Sequence, residues 1–229
     1  MAEPHVHVPH ELTEHAEQPA GAQAPPRAER ALELGAVLLL SLTTLATAWS
    51  GYQAARWSGE QSSLYTRASA ARVEAGEHAG RAGQLRIDDL IRFNDWLDAR
   101  AAGHSRLAEL HERRFRAEFR PAFRAWLAQR PFTNPRAVPG PLYMPQYRLA
   151  EQVRATALEA RADRRFEDGG DAKANDDHYV LSTVFFAAVL FFAGISLRLD
   201  WRPLRVMVLG LGATMLLGGL VFVLSLPVA

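Results

Sequence analysis

The sequence predicts an all-α membrane protein, with three transmembrane helices and a helical extramembrane insert between helices one and two. Three observations lead there. Residues 34–53, 178–197 and 206–229 carry no charged side chain, and about 20 helical residues cross a hydrocarbon core about 30 Å thick. Residues 54–176, between the first two stretches, are polar and dense in charge. Aromatic and arginine residues gather at the edges of the apolar stretches, as in W-S-G-Y-Q-A-A-R-W-S-G-E-Q at 49–61 and R-L-D-W-R-P-L-R at 198–205.

Bulk composition narrows the function classes. The 229 residues carry a net charge of +1, so no strong field favours a nucleic-acid partner. There is no cysteine, which excludes disulfides, thiolate catalysis and cysteine zinc sites.

Residues 1–30 are rich in Pro, Ala, Glu and His and poor in aliphatic side chains, the composition of a disordered tail. His5, His7, His10 and His15 lie there, with no scaffold to hold a metal. No metal site and no cofactor is expected.

The first span is read as 31–53. Ser41, Thr43, Thr44, Thr47 and Ser50 make it the most polar of the three. Such hydroxyls bond back to the helix or across to a neighbour. A signal peptide is the competing reading, because Ala46-Thr47-Ala48 has the form of a cleavage site. The long, partly acidic tail before the core favours an uncleaved signal anchor over a cut after Ala48.

At 49–61, Trp49, Tyr52 and Trp57 read as interfacial anchors, and Arg56 as a snorkelling side chain at the same level. Tyr52 and Arg56 are spaced for a cation–π contact. Gln53, Trp57 and Gln61 fall on one helix face. Trp49 is placed at the belt and Trp57 higher, against the soluble part.

The insert is read as 54–176. Ala68, Ala71, Ala75, Ala79 and Ala82 mark a small-residue stripe, and Gly76, Gly80 and Gly83 suggest a bend. Gly103 reads as a C-terminal cap. Leu107 to Trp126 read as a second helix interrupted at Pro121. Residues 131–145 hold five prolines in fifteen residues and several apolar side chains, the pattern of an ordered extended lid. Helix formers resume at 146–167, and Gly169 with Gly170 predicts an interruption before the second span.

The second span is 178–197, with Tyr179 at one edge. A short turn, 198–205, carries Arg198, Trp201, Arg202 and Arg205. The third span is 206–228. Its Gly210, Thr214 and Gly218 are four apart, a spacing for close packing against span one, span two or a copy of itself. Arginines on short loops stay in the cytoplasm. The turn and the N-terminus are therefore expected inside and the insert outside, in a bacterial cytoplasmic (inner) membrane.

No nucleophile elbow, phosphate loop, dinucleotide fingerprint or metalloprotease helix occurs. Asp88, Asp89, Asp95 and Asp98 alternate with arginines and read as a solvated, salt-bridged face. His104 with His111, and the group Asp171, Asp176, Asp177 and His178, are the remaining candidates for acid–base or cation chemistry.

The stretch A-T-A-W-S-G-Y-Q-A-A-R-W-S-G-E-Q, then F-R-P-A-F-R-A-W-L with P-F-T-N-P, and F-F-A-G-I-S before the third span, resemble a group of bacterial three-span membrane proteins without an established activity. The resemblance covers the chain from about residue 31 and implies the same layout. The expected function is non-enzymatic: an external interaction, sensor or accessory domain on membrane spans. Its partners would be the lipid bilayer and a homo-oligomer or an envelope protein. An oligomeric channel or transporter subunit and a membrane-anchored external hydrolase are the alternatives.

Overall fold

The computed structural model describes residues 27–229. They form five α-helices and one short 3-10 turn, with no strand among the described residues. Helix α1 spans Arg27–Ala101, α2 Ser105–Arg113, α3 Arg120–Ala128, α4 Ala150–Ser196 and α5 Arg202–Ser225, and Pro141–Tyr143 is the 3-10 turn. Three helices, α1, α4 and α5, are long and apolar enough to cross a membrane.

At 75 residues, α1 is about 110 Å long. The helix runs without a break through Gly76, Gly80 and Gly83, the site of the expected bend. A glycine in a helix costs only about 1 kcal/mol relative to alanine, and α4 packs along the same stretch and supports it. The same holds for the interruption expected at Gly169 and Gly170: α4 is continuous through both. At Gly169 the Tyr65 ring of α1 packs against the α4 backbone. A Cβ there would lie 2.5 Å from Tyr65 Cε1, so glycine serves packing and not chain reversal.

The α1–α4 contact is an antiparallel seam of small residues. On α1 the inward positions 54, 57, 61, 64, 68, 71, 75, 78, 82, 85 and 89 alternate in steps of three and four. On α4 the matching series is 151, 155, 158, 162, 165, 169, 172, 176 and 179. This is the spacing of a left-handed coiled coil. Alanines fill much of it: Ala68, Ala71, Ala75 and Ala82 face Ala155, Ala162 and Ala172, all buried. The α1 pattern shifts once, at Gln53 and Ala54, which are both buried.

One end of the seam opens into a three-helix bundle. There Leu39, Ala46, Tyr179, Phe186, Val189, Ala193, Leu216 and Val223 form the core. The outer surface of this end is apolar too: Leu45 is 68% exposed, Phe191 61% and Leu224 82%.

The other end carries a small head. Gly103 ends α1 in the left-handed region (φ 76), and the bonds His104 N–H to Ala99 O (2.9 Å) and Gly103 N–H to Arg100 O (3.2 Å) complete a Schellman cap. A short helix, α3, starts beside Pro121 as expected, and the break before it lies at 114–119. Pro121 lies in the first turn of α3, where its missing N–H is no loss. Phe93, Trp96, Phe115, Phe119, Phe123 and Trp126 form the head core. Their rings meet edge-on in several pairs, Trp96 with Phe123 at 4.8 Å and Phe93 with Trp126 at 5.1 Å. The proline-rich segment lies across this core. Trp126 Nε1 donates to Val138 O at 2.8 Å, and Val138 N–H donates to Gln129 Oε1 at 3.1 Å.

Candidate functional site

Two places hold polar side chains in a built arrangement. The first is the collar where the three-helix bundle meets the two-helix stalk. Gln53, Trp57 and Gln61 share a face, as their spacing implies, and that face points inward: Gln53 is buried and the other two are half-buried. Trp57 Nε1 donates to Pro227 O at 3.1 Å, and Tyr179 Oη donates to the same carbonyl at 3.2 Å. Gln53 Oε1 accepts the Ala229 N–H at 3.1 Å. Three side chains from α1 and α4 thus hold the segment that follows α5.

Trp57 therefore packs not on the soluble part, as its height along α1 suggested, but on the end of α5. The reason is that α5 rises beside α1 to the same level, which a sequence cannot show. Trp49, Tyr52 and Arg56 face outward. The expected Tyr52–Arg56 contact does not form. Tyr52 meets Trp49 instead, with centroids 6.1 Å apart, and the cation–π contact found among the described residues is Arg72 over Phe166 at 5.0 Å.

At the far end of the bundle, Arg198, Arg202 and Arg205 sit in and after the α4–α5 turn, with Trp201 exposed at the start of α5. Arg202 lies 3.9 Å from Glu29, so the start of α1 and this turn share one end.

The small-residue expectation for α5 needs correction within the chain. Gly210, Thr214 and Gly218 all face outward, and Gly210 and Gly218 have open space where a Cβ would be. Gly212 and Gly219 make the close contacts: a Cβ on Gly219 would lie 2.6 Å from Phe186, and one on Gly212 3.1 Å from Leu39. The buried series 212, 216, 219, 223 carries the three-four spacing, and that spacing, not the four-residue repeat, was the informative signal.

The hydroxyls of the first span bond back to the helix. Thr43 donates to Leu39 O at 2.6 Å, Thr44 to Leu40 O and Thr47 to Thr43 O, both at 2.8 Å. Ser50 is buried without a partner.

The second place is the head. Asp89 is 1% exposed, which overturns the solvated reading of its cluster at this position. Arg116 grips it with two bonds, Nε to Oδ1 at 3.0 Å and Nη2 to Oδ2 at 2.8 Å, and Tyr147 Oη donates to Oδ2 at 3.0 Å. Arg116 also reaches Glu118 at 2.8 Å, and Glu118 accepts the Ala150 N–H at 3.3 Å. The network joins α1, the α2–α3 break, the residues just after the proline-rich segment and the start of α4. Arg116 is held above its usual value, chiefly by its bonds to Asp89. Burial first, then the Asp89 charge, pushes the Tyr147 phenol up. Asp88 behaves as read, pairing with Arg92 on the surface at 2.8 Å.

Sequence reasoning missed Arg116, Glu118 and Tyr147. A signal for Asp89 existed: it continues the seven-residue series Ala68, Ala75, Ala82 and ends at Trp96.

Two adjoining clefts flank α2 and α3. One, about 530 Å³, is lined by Glu109, Glu112, Arg113, Arg120, Phe123 and Arg124. The other, about 430 Å³, shares Glu109 and Glu112 and adds Trp96, Arg100 and Phe132 among its lining. The remaining candidates stay apart. His104 and His111 are on the head, and Asp171, Asp176, Asp177 and His178 lie along the bundle end of α4, where Lys173 holds Asp177 at 3.0 Å. Among the described residues no group of three or more His, Cys, Asp or Glu is placed to hold a metal. His5, His7, His10 and His15 lie outside the described residues. Comparison with family models, curated proteins and solved structures returns no match for this chain.

Proposed function

We propose that the chain is a non-enzymatic multi-pass membrane protein whose stalk carries the head outside the membrane as a contact surface for an envelope protein. One observation carries this reading: α1 and α4 each run unbroken from the apolar bundle to the head. Residues 54–101 of α1 rise about 70 Å. An arrangement with no flexible joint holds the head at a set distance and couples its displacement to the spans.

Other features support it. The apolar outer surface of the bundle suits acyl chains. The arginine turn shares its end with the start of α1, and the charge rule favours the cytoplasmic side for both. The mixed arginine and glutamate lining of the head clefts suits a protein surface of mixed charge. The back-bonded hydroxyls of the first span favour this reading over a channel, since they leave few groups to line a wet path.

Crosslinking in intact cells tests the proposal. A photoreactive residue at Arg113 or Arg124 is expected to capture a discrete partner protein, and the same probe at Arg198 is not. A reporter fused after Ala229 is expected to be active outside the cytoplasm. Activity only inside would reverse the orientation.

A further inference from the structure

The stalk face of α1 turned away from α4 carries a second series with coiled-coil spacing. Positions 52, 55, 59, 62, 66, 69, 73, 76, 80, 83, 87, 90 and 94 alternate in steps of three and four, and every one is exposed. They read Tyr, Ala, Gly, Ser, Thr, Ser, Val, Gly, Gly, Gly, Ile, Leu and Asn, without a charged side chain, although charged residues fill much of the rest of this stretch. Val73 is 65% exposed and Ile87 60%, with Ile91 beside them at 55%. Gly59, Gly76, Gly80 and Gly83 have nothing within 4 Å of where a Cβ would stand. Each costs the helix about 1 kcal/mol, and no contact within the chain offsets that.

We infer that a second copy of this chain packs along this seam, parallel and in register, through α1 of each. The inference rests on the membrane reading. Two copies inserted alike in one bilayer have parallel α1 helices at the same height, so identical positions meet. Glycines at the contact allow the backbones to approach closely.

The flanking charges agree. In a parallel pair, a residue at the g position faces the e position five residues on in the partner. Taking Tyr52 as a, Arg72 is g and Glu77 is e, so Arg72 of each copy meets Glu77 of the other. Within one chain Arg72 pairs with Asp163 at 3.3 Å and lies over the Phe166 ring at 5.0 Å, and Glu77 pairs with Arg81 at 3.5 Å; all of these contacts are exposed, and the interchain pair takes their place. The seam is about 63 Å long and a helix about 10 Å across. The pair would therefore bury on the order of 1,200 Å² in all, the lower end of a stable specific interface.

The chain has no cysteine, so single thiols can be placed on it. Val73→Cys, Gly80→Cys and Ile87→Cys in the full chain, oxidised in native membranes, are each expected to give a disulfide dimer. Glu74→Cys and Arg81→Cys, exposed but off the seam, are expected to react at least tenfold more slowly. Adding Gly76→Leu to Val73→Cys is expected to lower its dimer yield at least tenfold while leaving helicity unchanged. Seam thiols that react no faster than the controls overturn the proposal. Adducts of a mass other than twice the chain overturn the second copy as occupant. Dimers from only one of the three seam positions overturn the parallel register. Alkaline carbonate extraction of the same membranes reads insertion separately. A chain that is retained but not crosslinked refutes the seam alone, and release of the chain refutes the membrane reading and the register with it.

Discussion

The ring of Tyr65 lies directly over Gly169, with Cε1 and Cδ1 at 2.5 and 2.7 Å from where a Cβ would be. The same ring stacks on Phe166 at 5.1 Å. Gly170, one position on, faces open space. The pair separates propensity from packing. Gly169→Ala is expected to destabilise the stalk by about 1–3 kcal/mol, because overpacking outweighs the gain in helix propensity. Gly170→Ala is expected to be neutral or to stabilise by up to about 1 kcal/mol. Thermal unfolding of both in detergent would show it, and equal effects would refute the close contact.

Asp89 and Arg116 make the deepest ion pair in the head. Asp89→Ala removes two charge-assisted bonds and leaves the partly exposed Arg116 with Glu118 alone, and is expected to cost about 2–3 kcal/mol. Tyr147→Phe removes one neutral donor and is expected to cost about 1 kcal/mol. Denaturant unfolding followed by tryptophan fluorescence reads both, since Trp96 and Trp126 lie in the same core. The larger loss from Asp89→Ala is the decisive comparison.

The head end of the stalk is expected to respond to acid through Glu151. Its carboxylate meets His78 Nδ1 at 2.6 Å, and that bond, more than the nearby Arg154 and Arg81, holds it below the usual glutamate value. A lowered carboxylate contributes stability above its ordinary value, about 4.3, and loses it as pH falls through the lowered one. Hydrogen exchange at 150–155 is therefore expected to rise as pH drops below about 4, after correction for the intrinsic rate. In Glu151→Gln the residues are expected to exchange faster at neutral pH and to show no further acid step.

Phenol ionisation supplies the alkaline counterpart. Tyr147 is raised and donates to Asp89, so its contribution is complete below the ordinary tyrosine value of about 10 and fades only as pH rises towards its folded value. A spectrophotometric titration at pH 10–11 is expected to give the native chain and its Tyr147→Phe variant the same phenolate signal, whereas in the unfolded state the variant gives one phenolate fewer.

The collar bonds to Pro227 converge on one carbonyl, so their losses should not add. Trp57→Phe or Tyr179→Phe alone is expected to cost about 0.5–1.5 kcal/mol. The double change is expected to speed amide exchange at 226–229 more than either single change. Equal exchange in all three would mean that the segment is held by packing alone.

Patterns of one dimension were legible. The three apolar stretches, the Gly103 cap and the start of a short helix at Pro121 follow from local chemistry: transfer of side chains from water, a left-handed residue, a proline ring that suits a first helical turn. Each is settled within a few residues of chain. Misjudged positions had local signals that pointed one way and partners that pointed another. Gly169 with Gly170 looked like a break, and Asp88 with Asp89 looked like one solvated cluster. In both pairs one member faces a neighbour and the other faces water, and only the rotation of the helix tells them apart.

By itself the sequence determined that this chain is helical and has three segments apolar enough for a bilayer, because those properties depend on each residue's own solvation and backbone preference. Tertiary structure decided that α4 zips along α1 through alanines, that Gly212 and Gly219 rather than Gly210 and Gly218 touch neighbours, and that Asp89 finds Arg116 and Tyr147. Those outcomes depend on which surfaces meet across 27 to 173 positions of chain, and close packing, unlike hydrophobicity, belongs to pairs of residues and not to single ones.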